Sequence, residues 1–117
     1  MTTGIISRFI TENSKIASGE VHWRAFIPDK THNETYVFNI TELEDSEVWD
    51  IAAEHRPTTI ARGDISIANV LIRPLTIVSA EPPPRHMAIR EWPEKELAKA
   101  LQMQLAARAK LVIRPTN

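Results

Sequence analysis

The strongest structural signal in the sequence is a helical pattern near its carboxyl end. Pro93 suits a first helical position, and Glu94 and Glu96 favour the positive end of a helix dipole. One face is marked by Leu97, Leu101, Leu105, Arg108 and Val112, and nearby alanines permit close approach to a sheet. This spacing predicts a long helix from Pro93 to about Lys110 that packs on a sheet.

Strands are predicted ahead of this helix, because alternation of polar and apolar residues is typical of half-buried sheets. The cleanest alternation covers Glu20 to Ile27, with Val21, Trp23, Ala25 and Ile27 on one side. Thr35 to Ile40 resumes the alternation, so the two segments are expected to form a hairpin. Further predicted strands are Gly4 to Ile10, Thr58 to Ser66, Leu75 to Ala80 and a short edge strand from Met87 to Trp92.

The segments between these strands carry weaker signals. Thr11 to Glu20 has no steady period and is typical of a loop. A short helix is predicted from Glu42 or Ser46 to His55, where Thr41 and Glu44 resemble a capping box. Ile67 to Arg73 fits either a strand or one helical turn. Taken together, the predicted strands and helices indicate one α+β domain over residues 1–117. It has a mostly antiparallel sheet of about five to six strands, one short internal helix and the long carboxy-terminal helix packed on the sheet.

Composition excludes several classes of protein. The 117 residues include no cysteine, which removes disulfides, thiol catalysis and cysteine-ligated metals. Fourteen basic and fifteen acidic residues give a net charge of -1, whereas general polyanion binders carry a basic excess. The four histidines lack metal-ligand spacing, so neither a metal nor a cofactor is predicted. Without a long apolar run, we expect a cytoplasmic protein that does not bind membranes.

The most suggestive polar cluster is formed by Glu20, His22 and Arg24, which alternate along one predicted strand. A carboxylate, an imidazole and a guanidinium together supply a general base, a general acid and an oxyanion stabiliser, which suits phosphodiester cleavage without a metal. Phe26 on the same side could stack a base. The plainer interpretation is the solvated side of an antiparallel strand.

Two further patterns carry chemistry. In the first, Gly63 lets the backbone bend so that Arg62 and Asp64 point at one site. The plainer interpretation is an internal ion pair between the two residues that stabilises a turn.

In the second pattern, prolines 82–84 are expected to form an extended, rigid connector that presents Arg85 and His86. An imidazole titrates near neutrality and can carry a proton, although a loop histidine bonded to backbone is the plainer interpretation. His32 and His55, in a turn and at a helix end, give weaker signals.

Five blocks, in order along most of the chain, resemble a group of short bacterial proteins with no established activity. They cover residues 7–10 (SRFI), 25–28 (AFIP), 36–40 (YVFNI), 61–64 (ARGD) and 84–89 (PRHMAI). In that group the last block runs through a glycine to Trp-Pro, whereas here Glu91 stands before Trp92. The resemblance implies an association with mobile elements or phage-defence loci. It also points to Arg8, Arg62, Asp64, Arg85 and His86 as residues to test.

Two functions are consistent with these patterns. The first is a small binding or regulatory module that acts through a protein partner or a nucleotide-like ligand. The second is a metal-independent ribonuclease or nucleotide-processing enzyme that uses the candidates His22, Arg24, Arg62, Asp64, Arg85 and His86. A pocket where an imidazole and two guanidiniums reach one phosphate-sized site would favour the enzyme, and a flat surface with exposed aromatic residues would favour a protein partner. The ligand and the oligomeric state stay open.

Overall fold

The structure, a computed structural model, describes residues 3–116 and is built around a six-stranded antiparallel sheet. The strands are β1 (Ile5–Ile10), β2 (Ile16–Ala17), β3 (Glu20–Val21), β4 (Thr35–Asn39), β5 (Ala61–Ser66), β6 (Thr76–Ser79), β7 (His86–Arg90) and β8 (Lys110–Ile113). The order in the large sheet is β6-β7-β4-β1-β5-β8, and β2 pairs with β3 in a separate ribbon. The predicted α+β class, with a mostly antiparallel sheet, is confirmed.

Helices lie on both faces of this sheet. They are α1 (Asp45–His55), α2 (Ile67–Leu71) and α3 (Lys95–Arg108), and two 3₁₀ turns span Asn13–Lys15 and Trp23–Phe26. Since alternate strand residues point to opposite faces, the sheet contributes to two cores. The larger one packs under α3 and includes Ile6, Ile10, Val37, Ile89 and Leu105, all 0–1% exposed. The smaller one lies on the other face, where Phe9 and Phe38 pack with Val48 and Ala52 of α1.

Local capping explains both internal helices. At the start of α1 the Glu44 carboxylate accepts from the Glu47 backbone, and the Glu47 side chain accepts from the Glu44 N–H at 2.9 Å. This capping box lies three residues beyond the predicted one, and the predicted helix ending at His55 is confirmed. Ser66 caps α2 by accepting from the Asn69 N–H. That bond decides the ambiguous segment in favour of a helical turn.

The strand predicted from Glu20 to Ile27 is wrong beyond Val21. The following residues form a 3₁₀ turn, capped by the His22 ring nitrogen Nδ1, which accepts from the Arg24 N–H at 3.1 Å. Ala25 and Phe26 are consecutive and both 0% exposed, a pattern that a half-buried strand cannot produce. The predicted hairpin with the next strand is therefore also wrong, and β4 pairs with β1 and β7 instead.

Three details at the carboxyl half also differ from the prediction. The strand β7 is not at an edge, because it lies between β6 and β4. The last helix ends at Arg108, and the segment after it forms β8, so Val112 belongs to a strand rather than to the helical face. Leu97 is 68% exposed, whereas Leu101 and Leu105 are buried as expected.

Prolines 82–84 do not form an extended connector. They belong to the loop that joins β6 to β7, which closes where the Ala80 N–H donates to the His86 carbonyl at 2.8 Å. The Arg85 N–H bonds back to the Glu81 carboxylate at 2.8 Å. The loop therefore turns the chain sharply and brings His86 into the sheet. Among residues 3–116, no helix has both the length and the apolar character to cross a bilayer.

Candidate functional site

The central strands β1 and β4 separate part way along the sheet. Their ladder contains only the pairs Ile6 with Asn39 and Ser7 with Phe38. Beyond it, the Arg8 guanidinium donates from Nη1 to the Tyr36 carbonyl at 2.8 Å and from Nε to the Ala25 carbonyl at 2.7 Å. The side chain thus bridges the gap that main-chain hydrogen bonds would otherwise close. This fixes a cation in the middle of the sheet.

A cavity of about 190 Å³ opens at this separation. The polar groups that line it come from four elements: Arg8 on β1, Tyr36 on β4, His55 and Arg56 at the end of α1, and His86 on β7. Phe9, Phe38 and Pro83 supply its apolar walls. Within the described residues 3–116, no carboxylate lines the cavity. We call it the Arg/His cavity.

The two arginines make this cavity electropositive. Burial and the nearby charge of Arg56 lower the pKa of Arg8 to about 10, so the Arg8 guanidinium remains charged at neutral pH. In the part of the chain that the structure describes, neither has a carboxylate within 4 Å. A half-buried cation beside a second cation is unfavourable unless an anion joins them. The cavity is therefore suited to a negatively charged group.

His86 is held in one orientation by its neighbours. Its ring nitrogen Nδ1 lies 3.0 Å from the Ala80 carbonyl oxygen. Because a carbonyl oxygen only accepts, Nδ1 carries the hydrogen and Nε2 of the neutral ring carries the lone pair. The ring stacks on Tyr36 with centroids 5.2 Å apart and tilts against Phe38 at 5.0 Å. His86 therefore presents a fixed proton acceptor.

His55 contacts the same aromatic ring. It is the last residue of α1, and its imidazole stacks on Phe38 with a centroid distance of 5.7 Å and an interplanar angle of 18°. Its Nε2 lies 3.7 Å from the Glu54 carboxylate, which forms an ion pair with the ring when the ring is protonated. Two imidazoles are thus grouped around one phenylalanine at the edge of the cavity.

Tyr36 forms a neutral wall of the cavity. Its hydroxyl donates to Glu34 Oε1 at 2.8 Å, and Arg90 Nε donates to the other oxygen of that carboxylate at 3.0 Å. The hydrogen bond to Glu34, reinforced by desolvation, raises the pKa of Tyr36 to about 12. The phenol therefore keeps its proton at physiological pH, and its ring position is fixed by the Glu34 bond.

Most predicted candidates lie elsewhere. His22 and Arg24 flank Trp23 beside α3, on the opposite face of the sheet, where Arg24 and Lys99 lie 5.0 and 4.7 Å from the Trp23 ring. Glu20, His22 and Arg24 do not share one strand face, since β3 ends at Val21. The structure therefore does not bring His22 or Arg24 near His86.

Arg62 and Asp64 form a buried tether between β5 and α1. Arg62 is 3% exposed, donates to Asp64 at 3.1 Å and to Asp45 at 2.6 Å, and stacks over Trp49 at 4.7 Å. Both residues lie within β5 rather than at a turn, and their contacts hold this strand against the start of α1. Neither residue lines the Arg/His cavity.

Arg85 lies next to the cavity rather than in it. Its Nη1 donates to the Asn39 carbonyl at 3.0 Å, and it lines a second, wider cavity of about 490 Å³. This neighbouring cavity shares His55 with the first, and in its lining the carboxylates of Glu47, Asp50 and Glu54 along α1 outnumber the single cation of Arg85. The two cavities lie side by side and have opposite charge.

Of the predicted candidates, only His86 lines the Arg/His cavity. His55 and Arg56 were not among them, and Arg8 was indicated only by the resemblance. No sequence spacing connects these residues, because four separate elements contribute them. In the described part of the chain, no three His, Asp or Glu side chains converge as metal ligands would.

The chain matches no known protein family, no curated protein and no solved structure. The resemblance to short bacterial proteins, and the genetic setting that it implies, therefore stay predictions.

Proposed function

We propose that the protein is a small binding module that holds a phosphate-bearing, nucleotide-like ligand in the Arg/His cavity. The observation that carries this proposal is the cationic lining: two guanidiniums and two imidazoles, with no carboxylate among the described residues that line it. Guanidinium groups bind phosphate through charge-assisted hydrogen bonds. Arg8 uses two of its five N–H donors on backbone carbonyls, so others are left for a ligand.

The size of the cavity sets what part of the ligand it holds. Pockets for drug-sized molecules span roughly 300–1,000 Å³, so a cavity of about 190 Å³ admits a phosphate and part of a ring. The partly exposed Tyr36 ring gives that ring an aromatic wall, whereas Phe38 is 6% exposed and already covered by Phe9, His55 and His86. The remainder of a nucleotide extends past His55 into the wider cavity. There the carboxylates of α1 accept hydrogen bonds from exocyclic amino groups of a base.

Binding of inorganic phosphate, nucleoside monophosphates and the matching nucleosides tests this proposal, measured by calorimetry and by NMR. We expect the monophosphates to bind, the nucleosides to bind more weakly, and added salt to weaken the phosphate-dependent part. Replacing Arg56 with Gln removes one charged hydrogen bond and should weaken binding about tenfold or more. Arg24→Gln, an exposed arginine on the other face, is the matched control and should leave the affinity unchanged.

Two results would overturn the proposal. One is equal affinity of a nucleoside and its monophosphate. The other is an Arg56→Gln variant that binds the monophosphates as tightly as the unaltered protein does.

The resemblance suggests that such a module serves a bacterial phage-defence or mobile-element system. A regulatory role there would couple ligand binding to a protein partner. Neighbouring genes from several genomes test this setting, since a defence or mobile-element locus should surround the gene repeatedly. Unrelated neighbours in every genome would remove the suggestion without touching the binding proposal.

A further inference from the structure

From the same cavity we propose a reaction: cleavage of RNA through attack of a ribose 2′-hydroxyl on the adjacent phosphodiester, with His86 as general base and His55 as general acid. This inference rests on the proposed phosphate binding and names the substrate class. It requires a proton acceptor, a proton donor and a charge stabiliser around one phosphate. The cavity lining supplies all three from the chain itself.

His86 suits the base because its free nitrogen is defined. The bond from Nδ1 to the Ala80 carbonyl leaves Nε2 as the only acceptor of the neutral ring. Contacts with Tyr36 and Phe38 hold the plane of the ring, so little reorientation is needed when substrate binds.

His55 suits the acid because of its position relative to His86. Both imidazoles contact the Phe38 ring, with centroids 5.7 and 5.0 Å from it. Since both imidazoles also line the Arg/His cavity, a phosphodiester held there is placed to receive a hydrogen bond from each. The Glu54 carboxylate, 3.7 Å from His55 Nε2, pairs with the protonated ring.

Arg8 and Arg56 suit the charge that develops at phosphorus. The bonds of Arg8 to two backbone carbonyls fix its guanidinium before substrate arrives. A donor that is already oriented stabilises the transition state without reorganisation. Arg56, at the carboxyl end of α1, adds a second positive charge to the same cavity.

The proposed step balances without a co-reactant. His86 Nε2 takes the proton of the 2′-hydroxyl, and the 2′-oxygen forms a bond to phosphorus. The bond from phosphorus to the 5′-oxygen breaks, and His55 gives its proton to that oxygen. The products are a 2′,3′-cyclic phosphate and a 5′-hydroxyl end, and solvent returns the two histidines to their starting states. DNA cannot react in this way because it lacks the 2′-hydroxyl.

The charge of the chain restricts the substrate further. A net charge of -1 gives little long-range attraction for a long polyanion, so we expect recognition to depend on the phosphate in the cavity and its neighbouring bases. We therefore expect ribodinucleotides and short single strands to be cleaved about as efficiently as long RNA.

The test uses the full chain, a set of ribodinucleoside monophosphates and a metal chelator, with products separated by chromatography. We expect a 2′,3′-cyclic phosphate from the ribo substrates and no product from the 2′-deoxy analogues. His86→Ala and His55→Ala should each lower kcat by about 100-fold or more. His22→Ala, a histidine on the other face of the sheet, should leave it unchanged.

The pH profile separates a catalytic from a structural role. The unaltered protein should give a bell-shaped profile, from which a variant of His86 loses the acidic limb and a variant of His55 the alkaline limb. His86→Asn retains a donor toward the Ala80 carbonyl, so it guards against a variant that fails to fold. A retained rate in His86→Asn would refute the assignment of the base.

The outcomes also distinguish this inference from the proposed function. If nucleoside monophosphates bind but no ribo substrate is cleaved, the reaction is refuted and the binding proposal stands. If no phosphate compound binds, both are refuted. Cleavage of deoxy substrates would refute the 2′-hydroxyl mechanism while leaving phosphate recognition in place.

Discussion

The ion pairs of Arg62 provide a direct test of how burial determines the contribution of an ion pair to the free energy of unfolding. Arg62 has two carboxylate partners that differ greatly in exposure: the side chain of Asp64 is 15% exposed and that of Asp45 is 79% exposed. The matched changes are Asp64→Asn and Asp45→Asn. Each removes one negative charge from the same guanidinium and leaves side-chain volume almost unaltered.

The two changes should have very different costs. Exposed ion pairs contribute about 0–1 kcal/mol, since water solvates the charges in either state. Loss of the buried partner leaves Arg62, which is 3% exposed, with one solvated carboxylate, and breaking such a pair costs about 3–5 kcal/mol. Small domains unfold at about 5–15 kcal/mol in total, so Asp64→Asn removes a large share of the stability.

Urea unfolding followed by tryptophan fluorescence measures both costs. With a slope of about 2 kcal/mol per molar, Asp64→Asn should lower the midpoint by roughly 1.5 M or more, and Asp45→Asn by about half a molar or less. The slope itself should stay constant. The bond from Arg62 to Asp45, at 2.6 Å, is shorter than the bond to Asp64, at 3.1 Å, so distance alone would predict the opposite order. Equal midpoint shifts for the two variants would refute the argument from burial.

Three further predictions concern single residues. Tyr36 is the only tyrosine, so ultraviolet titration of tyrosinate should give a midpoint near pH 12, which falls toward 10 in Glu34→Gln. Because the pKa is raised in the folded state, the contribution of the protonated phenol to stability is complete below pH 10 and is lost between pH 10 and 12. A midpoint near 10 in the unaltered protein would contradict this. Leu105 is 0% exposed, so Leu105→Ala should lower the free energy of unfolding by about 2–5 kcal/mol in urea, whereas Leu97→Ala, at a side chain that is 68% exposed, should lower it by about 0.5 kcal/mol or less. Similar losses of stability in the two variants would contradict the packing of α3 on the sheet. Gly4→Ala should lower the free energy of unfolding by about 1–3 kcal/mol in thermal unfolding, because φ is +148° and a Cβ would lie 2.9 Å from side-chain atoms of Ile67 and Thr41. An unchanged melting temperature would contradict this close approach.

Local sequence signals were sufficient for three elements. β-Branched and aromatic residues predict the strand that begins at Ile5, capping signals predict the helix that ends at His55, and apolar spacing predicts the long helix over Leu101 and Leu105. The alternation from Glu20 onward misled because a side-chain cap from His22 and burial under α3 favoured a 3₁₀ turn. The strand β8 was missed because its apolar residues also continue the helical spacing.

The candidate site was harder to predict than the fold. Its residues come from four stretches of the chain, 8–9, 36–38, 55–56 and 83–86, which lie 17 to 27 positions apart. They meet because β4 pairs with both β1 and β7, and strand order depends on tertiary packing rather than on local propensity. His86 could be found because a histidine after a proline run is unusual, whereas a histidine at a helix end is not.

The short ladder between β1 and β4 has a mechanical consequence. The sheet can be divided into two three-stranded halves, β6-β7-β4 and β1-β5-β8, which meet at a β1–β4 junction held by two residue pairs, the bond from the Ile40 N–H to the Ile5 carbonyl and the Arg8 side chain. An anion that engages Arg8 at this junction also touches His86 in one half and Phe9 in the other. Occupancy should therefore slow hydrogen exchange of the amides along the β1–β4 junction more than elsewhere in the sheet, so exchange at the shortest ladder of the sheet would report the bound state.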